Sequence, residues 1–139
     1  MVALPVLICL AGPSSASDQE ELAACDYSIS QRQPVPSLFR RGAFTRDQHD
    51  MDRTEVESHL KALGVRPTMI QRRLAEFDEG TFRPRIITFI IDYEATATDA
   101  TIVAKRSECV IRLNRPDGRI IPDLASVDGL TLDQFRARQ

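Results

Sequence analysis

Residues 85–93 read RIITFIIDY, and Ile87, Phe89, Ile91 and Tyr93 fall at alternate positions. Side chains alternate across a strand, so these four form one wholly apolar face, while Ile86, Thr88, Ile90 and Asp92 form a mixed one. The pattern predicts a central strand, and the rest of the domain has to be built round it. TIVAKR (101–106) reads as a second strand, after the small polar turn region EATATDA. ECVIRLN (108–114) reads as a third, with Cys109, Ile111 and Leu113 pointing one way. NRPDGR (114–119) is a turn, since Pro116 sets φ and Asp117-Gly118 supplies the corner. Ile120 and Ile121 are expected to form a short last strand.

Upstream the period changes. Asp52 and Glu55 have the spacing of a capping box, and Val56, Leu60 and Leu63 then share one helical face. Gly64 suits the left-handed stop of that helix. Pro67 opens a second helix, in which Ile70, Leu74 and Phe77 repeat, and Gly80 ends it. Thr131 and Gln134 predict a final helix of about two turns. The expected fold class is α+β: a helical hairpin packed on a three- or four-stranded antiparallel sheet, with a short C-terminal helix. This domain is expected over 52–139. Ahead of it, 17–51 is expected to be an extended N-terminal arm. Ser17 to Ala24 is polar and acidic, a helix start or a free end, and SQRQPVPSLFRRG (30–42) has prolines at alternate positions that block helix. Leu38, Phe39 and Phe44 are the residues able to pin the arm down.

The stretch from Met1 to Ala16 has no charged side chain. Its apolar run is too short to span a bilayer, and Ser14 and Ala16 offer small side chains to a signal peptidase. Residues 1–16 are therefore read as a signal peptide, with the mature chain beginning near Ser17, although no Lys or Arg precedes the apolar run. Ile8 ahead of Cys9 disfavours a lipoprotein signal. Removal of 1–16 leaves two cysteines, Cys25 and Cys109, expected to form one disulfide in an oxidising compartment. No Cys-x-x-Cys occurs, so thioredoxin-type chemistry is not indicated. The expected location is periplasmic or secreted, and no membrane span is expected after signal removal.

ALGVRPTMIQRRL (62–74) resembles the helix-turn-helix family: Gly64 stands at the turn, Val65 follows it, and Ile70 lies six residues after the glycine. The resemblance covers about a dozen residues. It implies Arg72 and Arg73 on a second helix within reach of phosphate. The chain departs from the family pattern at Leu60, where a small residue is usual, and at Pro67, where a polar phosphate contact is common. The formal net charge of the 139 residues is −2, without the basic excess that phosphate binding draws on. The expectation is a structural helix pair and no nucleic acid partner, with a DNA-binding regulator using 52–80 as the alternative.

Catalytic signatures are missing. Asp47, His49, Asp50, Asp52, Glu55 and His59 gather metal-ligand types, and Glu55 and His59 share a helix face, but neither an H-E-x-x-H helix nor an EF-hand loop is spelled out. A small metal-dependent enzyme using His49 and His59 is the third reading. No G-x-S-x-G or phosphate-cradling glycine loop occurs, and Asp92 and Glu94 read as strand-end polar residues. No catalytic residue, cofactor or metal site is therefore assigned. What remains is binding. Arg72, Arg73, Arg83 and Arg85 gather round the end of the second helix and the start of the first strand, and Arg40 and Arg41 could join them from the arm. Together they are the candidate surface for an acidic protein partner. The expected function is that of an exported accessory or binding protein, not an enzyme.

Overall fold

The computed structural model describes residues 16–139. The expected signal peptide lies, but for Ala16, outside the described residues. The elements in order are α1 (Ala16–Ser30), a 3-10 turn (Pro36–Leu38), β1 (Arg40–Asp50), α2 (Arg53–Ala62), α3 (Pro67–Glu79), β2 (Arg85–Thr96), β3 (Ile102–Leu113), a second 3-10 turn (Pro122–Leu124), β4 (Ser126–Val127) and α4 (Leu132–Ala137). The strands form one antiparallel sheet in the order β1-β2-β3-β4. The α+β class, the antiparallel sheet and the short C-terminal helix are as expected.

The alternation that predicted β2 organises the core. Ile87, Phe89, Ile91 and Tyr93 are buried, and so are Ser107, Cys109, Ile111 and Leu113 of β3. Cross-strand partners share a face, and the register pairs Ile87 with Ile111 and Phe89 with Cys109. α1 covers this face. Its Ala24, Cys25, Ser28 and Ile29 are buried, and Cys25 is disulfide-bonded to Cys109 across a Cα–Cα distance of 6.0 Å. Near its start, Glu21 takes a bidentate pair from Arg46 of β1 at 2.9 and 3.3 Å. Near its end, Arg32 donates to the carbonyls of Val127 and Leu130 at 3.3 and 2.8 Å. One helix thus reaches β1, β3 and β4.

The segment 17–51 is therefore not an extended arm. Residues from 17 to 30 are helical, and 40–50 pair with β2 from Arg40 opposite Glu94 to Asp50 opposite Arg85, with an irregularity between Arg41 and Phe44. The prolines confine the irregular chain to the short link between them. β3 is one strand of twelve residues, not two. Ile120 and Ile121 lie outside any strand, with Ile121 47 % exposed. The last strand is Ser126–Val127, held because Asp128 bonds both backbone groups of Glu108.

The helical hairpin is an insertion between β1 and β2, standing at the end of the sheet where Asp50 pairs with Arg85. Both ends of α2 follow the sequence. Asp52 and Glu55 close a reciprocal capping box, and Gly64 takes φ +74° just beyond the helix, a conformation that glycine adopts without the Cβ strain other residues meet. Val56, Ile70 and Leu74 make a separate buried cluster, backed by Met51, Leu60, Val65, Phe77 and Phe82. The neck is fastened by Arg85 on Asp50 at 2.6 and 2.9 Å and by the Met51 amide on the Pro84 carbonyl at 3.0 Å.

Candidate functional site

The six arginines of the expected surface divide between two ends of the molecule. β1 runs for eleven residues, so Arg40 and Arg41 lie roughly 30 Å from the neck, at about 3.3 Å per residue. Arg72, Arg73, Arg83 and Arg85 belong to the hairpin end. Most of them are also engaged within the chain. Arg41 pairs with Asp26 at 3.0 Å and lies over the Phe44 ring. Arg40 donates to the carbonyls of Ser37 and Phe39. Arg73 holds Glu76 at 2.8 Å and covers Phe82. Arg83 donates to the Phe77 carbonyl and stacks over its ring. Arg85 is the neck clamp on Asp50, and Asp50 holds its carboxyl below the usual range chiefly because of that hydrogen bond. Arg72 alone of the six is exposed with no partner among the described residues.

Several openings lie on the surface of the described residues. The widest, about 620 Å³, lies beside Arg40, Arg41, Asp92, Glu94, Lys105 and Arg106. It sets four cations against two carboxylates, and Arg106 holds Asp92 at 2.6 Å. A groove of about 260 Å³ separates the hairpin from the sheet end and is mostly apolar, lined by Leu60, Leu63, Phe82, Ile86 and Leu113. A third cleft, about 300 Å³, opens where α1 ends, beside β3 and the β4–α4 link. It gathers Arg32, Gln33, Tyr93, Lys105, Ser107 and Asp128. The Tyr93 and Ser107 hydroxyls are 3.0 Å apart, and the Gln33 side-chain oxygen accepts from Lys105 at 3.4 Å. Sequence reasoning missed this cleft, because its residues come from four distant parts of the chain and only the α1–β3 packing brings them together.

The histidines take separate roles. The His49 ring meets Glu55 at 2.6 Å, and the hydrogen bonds from Asp52 and His49, the backbone one first, hold the Glu55 carboxyl below its ordinary range. His59 lines the apolar groove. Among the described residues no three His, Cys, Asp or Glu side chains converge as a metal site requires, and no helix is long and apolar enough to cross a membrane. The chain matches no known protein family, no curated protein and no solved structure.

Proposed function

We propose that this is a small exported protein, periplasmic or secreted, that acts by binding another protein and not by catalysis. The observation that carries the reading is the disulfide. Cys25 and Cys109 are both fully buried and join the covering helix to the third strand, a bond that persists in oxidising compartments and is rare in the cytosol. The apolar start of the chain, with Ser14 and Ala16 ahead of the expected cut, agrees with it. Cleavage after Ala16 leaves Glu21, Cys25 and Arg32, and so every α1 contact named above, in the mature protein.

Binding is supported by the form of the surface. Large apolar side chains stand out on the surface: Leu63, at the groove between hairpin and sheet, and Leu124 are each 66 % exposed. The test is the mature terminus and thiol content of protein purified from its own cell. A chain starting near Ser17 with no free thiol after unfolding is the expected result. A chain starting at Met1 with Cys25 and Cys109 both free would overturn the export reading.

A further inference from the structure

The third strand is paired unequally on its two sides. Toward β2 it is bonded along its whole length, from Ile102 opposite Thr96 to Leu113 opposite Arg85. On its outer side β4 meets only Cys109 and Val110, and Asp128 takes both backbone groups of Glu108, its amide donating to the Glu108 carbonyl at 2.8 Å and its Oδ1 accepting from the Glu108 amide at 2.9 Å. Backbone groups alternate from side to side along a strand. Since Glu108 and Val110 face outward, Arg106, Ala104 and Ile102 face outward too, and among the described residues nothing bonds their outward amides and carbonyls.

This open stretch differs from the sheet's other edge. β1 presents Arg40, Arg41, Arg46, Asp47, His49 and Asp50, the kind of charged edge that discourages strand pairing. Residues 102–104 of β3 are Ile, Val and Ala, all exposed, with Ile102 at 66 %. The open stretch lies in line with β4 and beside the cleft of Arg32, Gln33 and Lys105. A strand laid there would send every second side chain toward that cleft. Arg32 spends its donors on Ser28, Val127 and Leu130. Lys105 bonds only Gln33, at 3.4 Å, so its ammonium keeps donors for an incoming acceptor. Asp128, the carboxylate of the cleft, is already used on Glu108.

We propose that the outer edge of β3, from Ile102 to Arg106, is a strand-addition site that takes an extended acidic segment of a partner protein, with one carboxylate of that segment on Lys105. Main-chain hydrogen bonds supply the attachment, and the alternate side chain in the cleft supplies the selectivity. The inference rests on the protein-binding reading and locates its surface.

The probe is a blocked peptide of about eight alternating valines and glutamates, long enough to cover a strand of ordinary length, titrated against the full mature protein. The amides of Ile102, Ala104 and Arg106 are expected to exchange rapidly in the free protein and slowly in the complex. Ala104→Pro removes an outward amide hydrogen that the sheet does not use, a position where proline is tolerated, and should weaken the peptide at least about tenfold. Lys105→Glu should weaken it similarly and transfer the preference to a valine–lysine peptide, which keeps the test decisive if the proline variant does not fold. Protection of these amides in the free protein, perturbation centred on β1 or the hairpin, or a Lys105→Glu variant that binds both peptides as the wild type does would each overturn the site. Photo-crosslinkers placed at 104, at 45 in β1 and at 69 in α3 of the protein in its own cell separate this proposal from the reading beneath it. Crosslinks only from 45 or 69 would sink the β3 edge and leave a binding protein. No crosslink from any position would sink both.

Discussion

The sheet with α1 and the helical hairpin hold themselves together in different ways. The first has a contiguous core of Ile29, Ile87, Phe89, Ile91 and Ile111, long ladders and a covalent tie between its layers. The second has Val56, Ile70 and Leu74 buried, a shell of half-buried neighbours, and a neck held by polar contacts: the Arg85 clamp on Asp50, His49 on Glu55, and the Met51 and Arg83 amides on the Pro84 and Asn114 carbonyls. Local opening follows the density of buried contacts, so the hairpin is expected to open without the sheet. The molecule is then a rigid cross-linked platform carrying a looser appendage, and the proposed strand-addition edge belongs to the platform.

The largest effect should come from the tie. Replacing Cys25 and Cys109 with alanine releases a loop closed over a sequence separation of 84, which in the chain-entropy treatment removes about 4.5 kcal/mol. The denaturant midpoint should fall accordingly. A loss below about 1 kcal/mol would mean that α1 is held by packing alone. Next comes Leu74→Ala, which empties the centre of the hairpin cluster. Truncating a buried leucine costs about 2–5 kcal/mol. The loss should appear in amide exchange across α2 and α3 and leave β2 and β3 protected. If the sheet amides lose protection to the same extent, the two regions are one cooperative unit and the contrast fails.

Gly64→Ala should have a smaller effect confined to the same region. A Cβ at Gly64 meets nothing within 4 Å, so no collision arises, but φ is +74°. Side chains are strained there, and the expected loss is about 1 kcal/mol. Chemical denaturation followed by exchange at α2 and α3 would register it, and an unchanged stability would show that the turn relaxes freely.

What the sequence made legible divides along similar lines. The capping residues Asp52, Glu55, Thr131 and Gln134, the stops Gly64 and Gly80 and the alternation in β2 are local rules, and each holds. β1 was hidden because RRGAFTRDQHD is an edge strand with almost every side chain exposed, so no apolar alternation marks it. α1 was hidden because its buried face is made of Ala24, Cys25, Ser28 and the ion-paired Glu21 as much as of Ile29. Ile120 and Ile121 look more strand-like than Ser126 and Val127, but Asp128 on Glu108 settles which pair joins the sheet. Arg72, Arg73, Arg83 and Arg85 share the hairpin end, but sequence spacing does not show to which end of the sheet 40 and 41 belong. The register of β1 sends 40 and 41 to the other.

The smallest expected effect separates two carboxylate–arginine pairs, one in each region. Asp26 of α1 meets Arg41 at 3.0 Å, but its Oδ1 is buried with no hydrogen-bond partner, and burial outweighs the arginine to raise its carboxyl above the ordinary 3.8. Asp50 at the neck lies below 3.8, mainly through its hydrogen bond from Arg85. The signs are opposite. For Asp26 the folded state holds its proton more tightly than the unfolded one, so its contribution is greatest in acid and is lost as pH rises through the raised value. For Asp50 the contribution is present above 3.8 and is lost as pH falls through the lowered value. Asp26→Asn should therefore improve relative to wild type as pH rises from below 3.8 toward neutrality. Asp50→Asn should be the weaker protein at neutral pH and converge on wild type in acid, with its deficit concentrated in hairpin exchange. Parallel stability profiles for the two variants across the acid range would show that the platform and the appendage respond to protons alike, and the electrostatic part of the contrast would be lost.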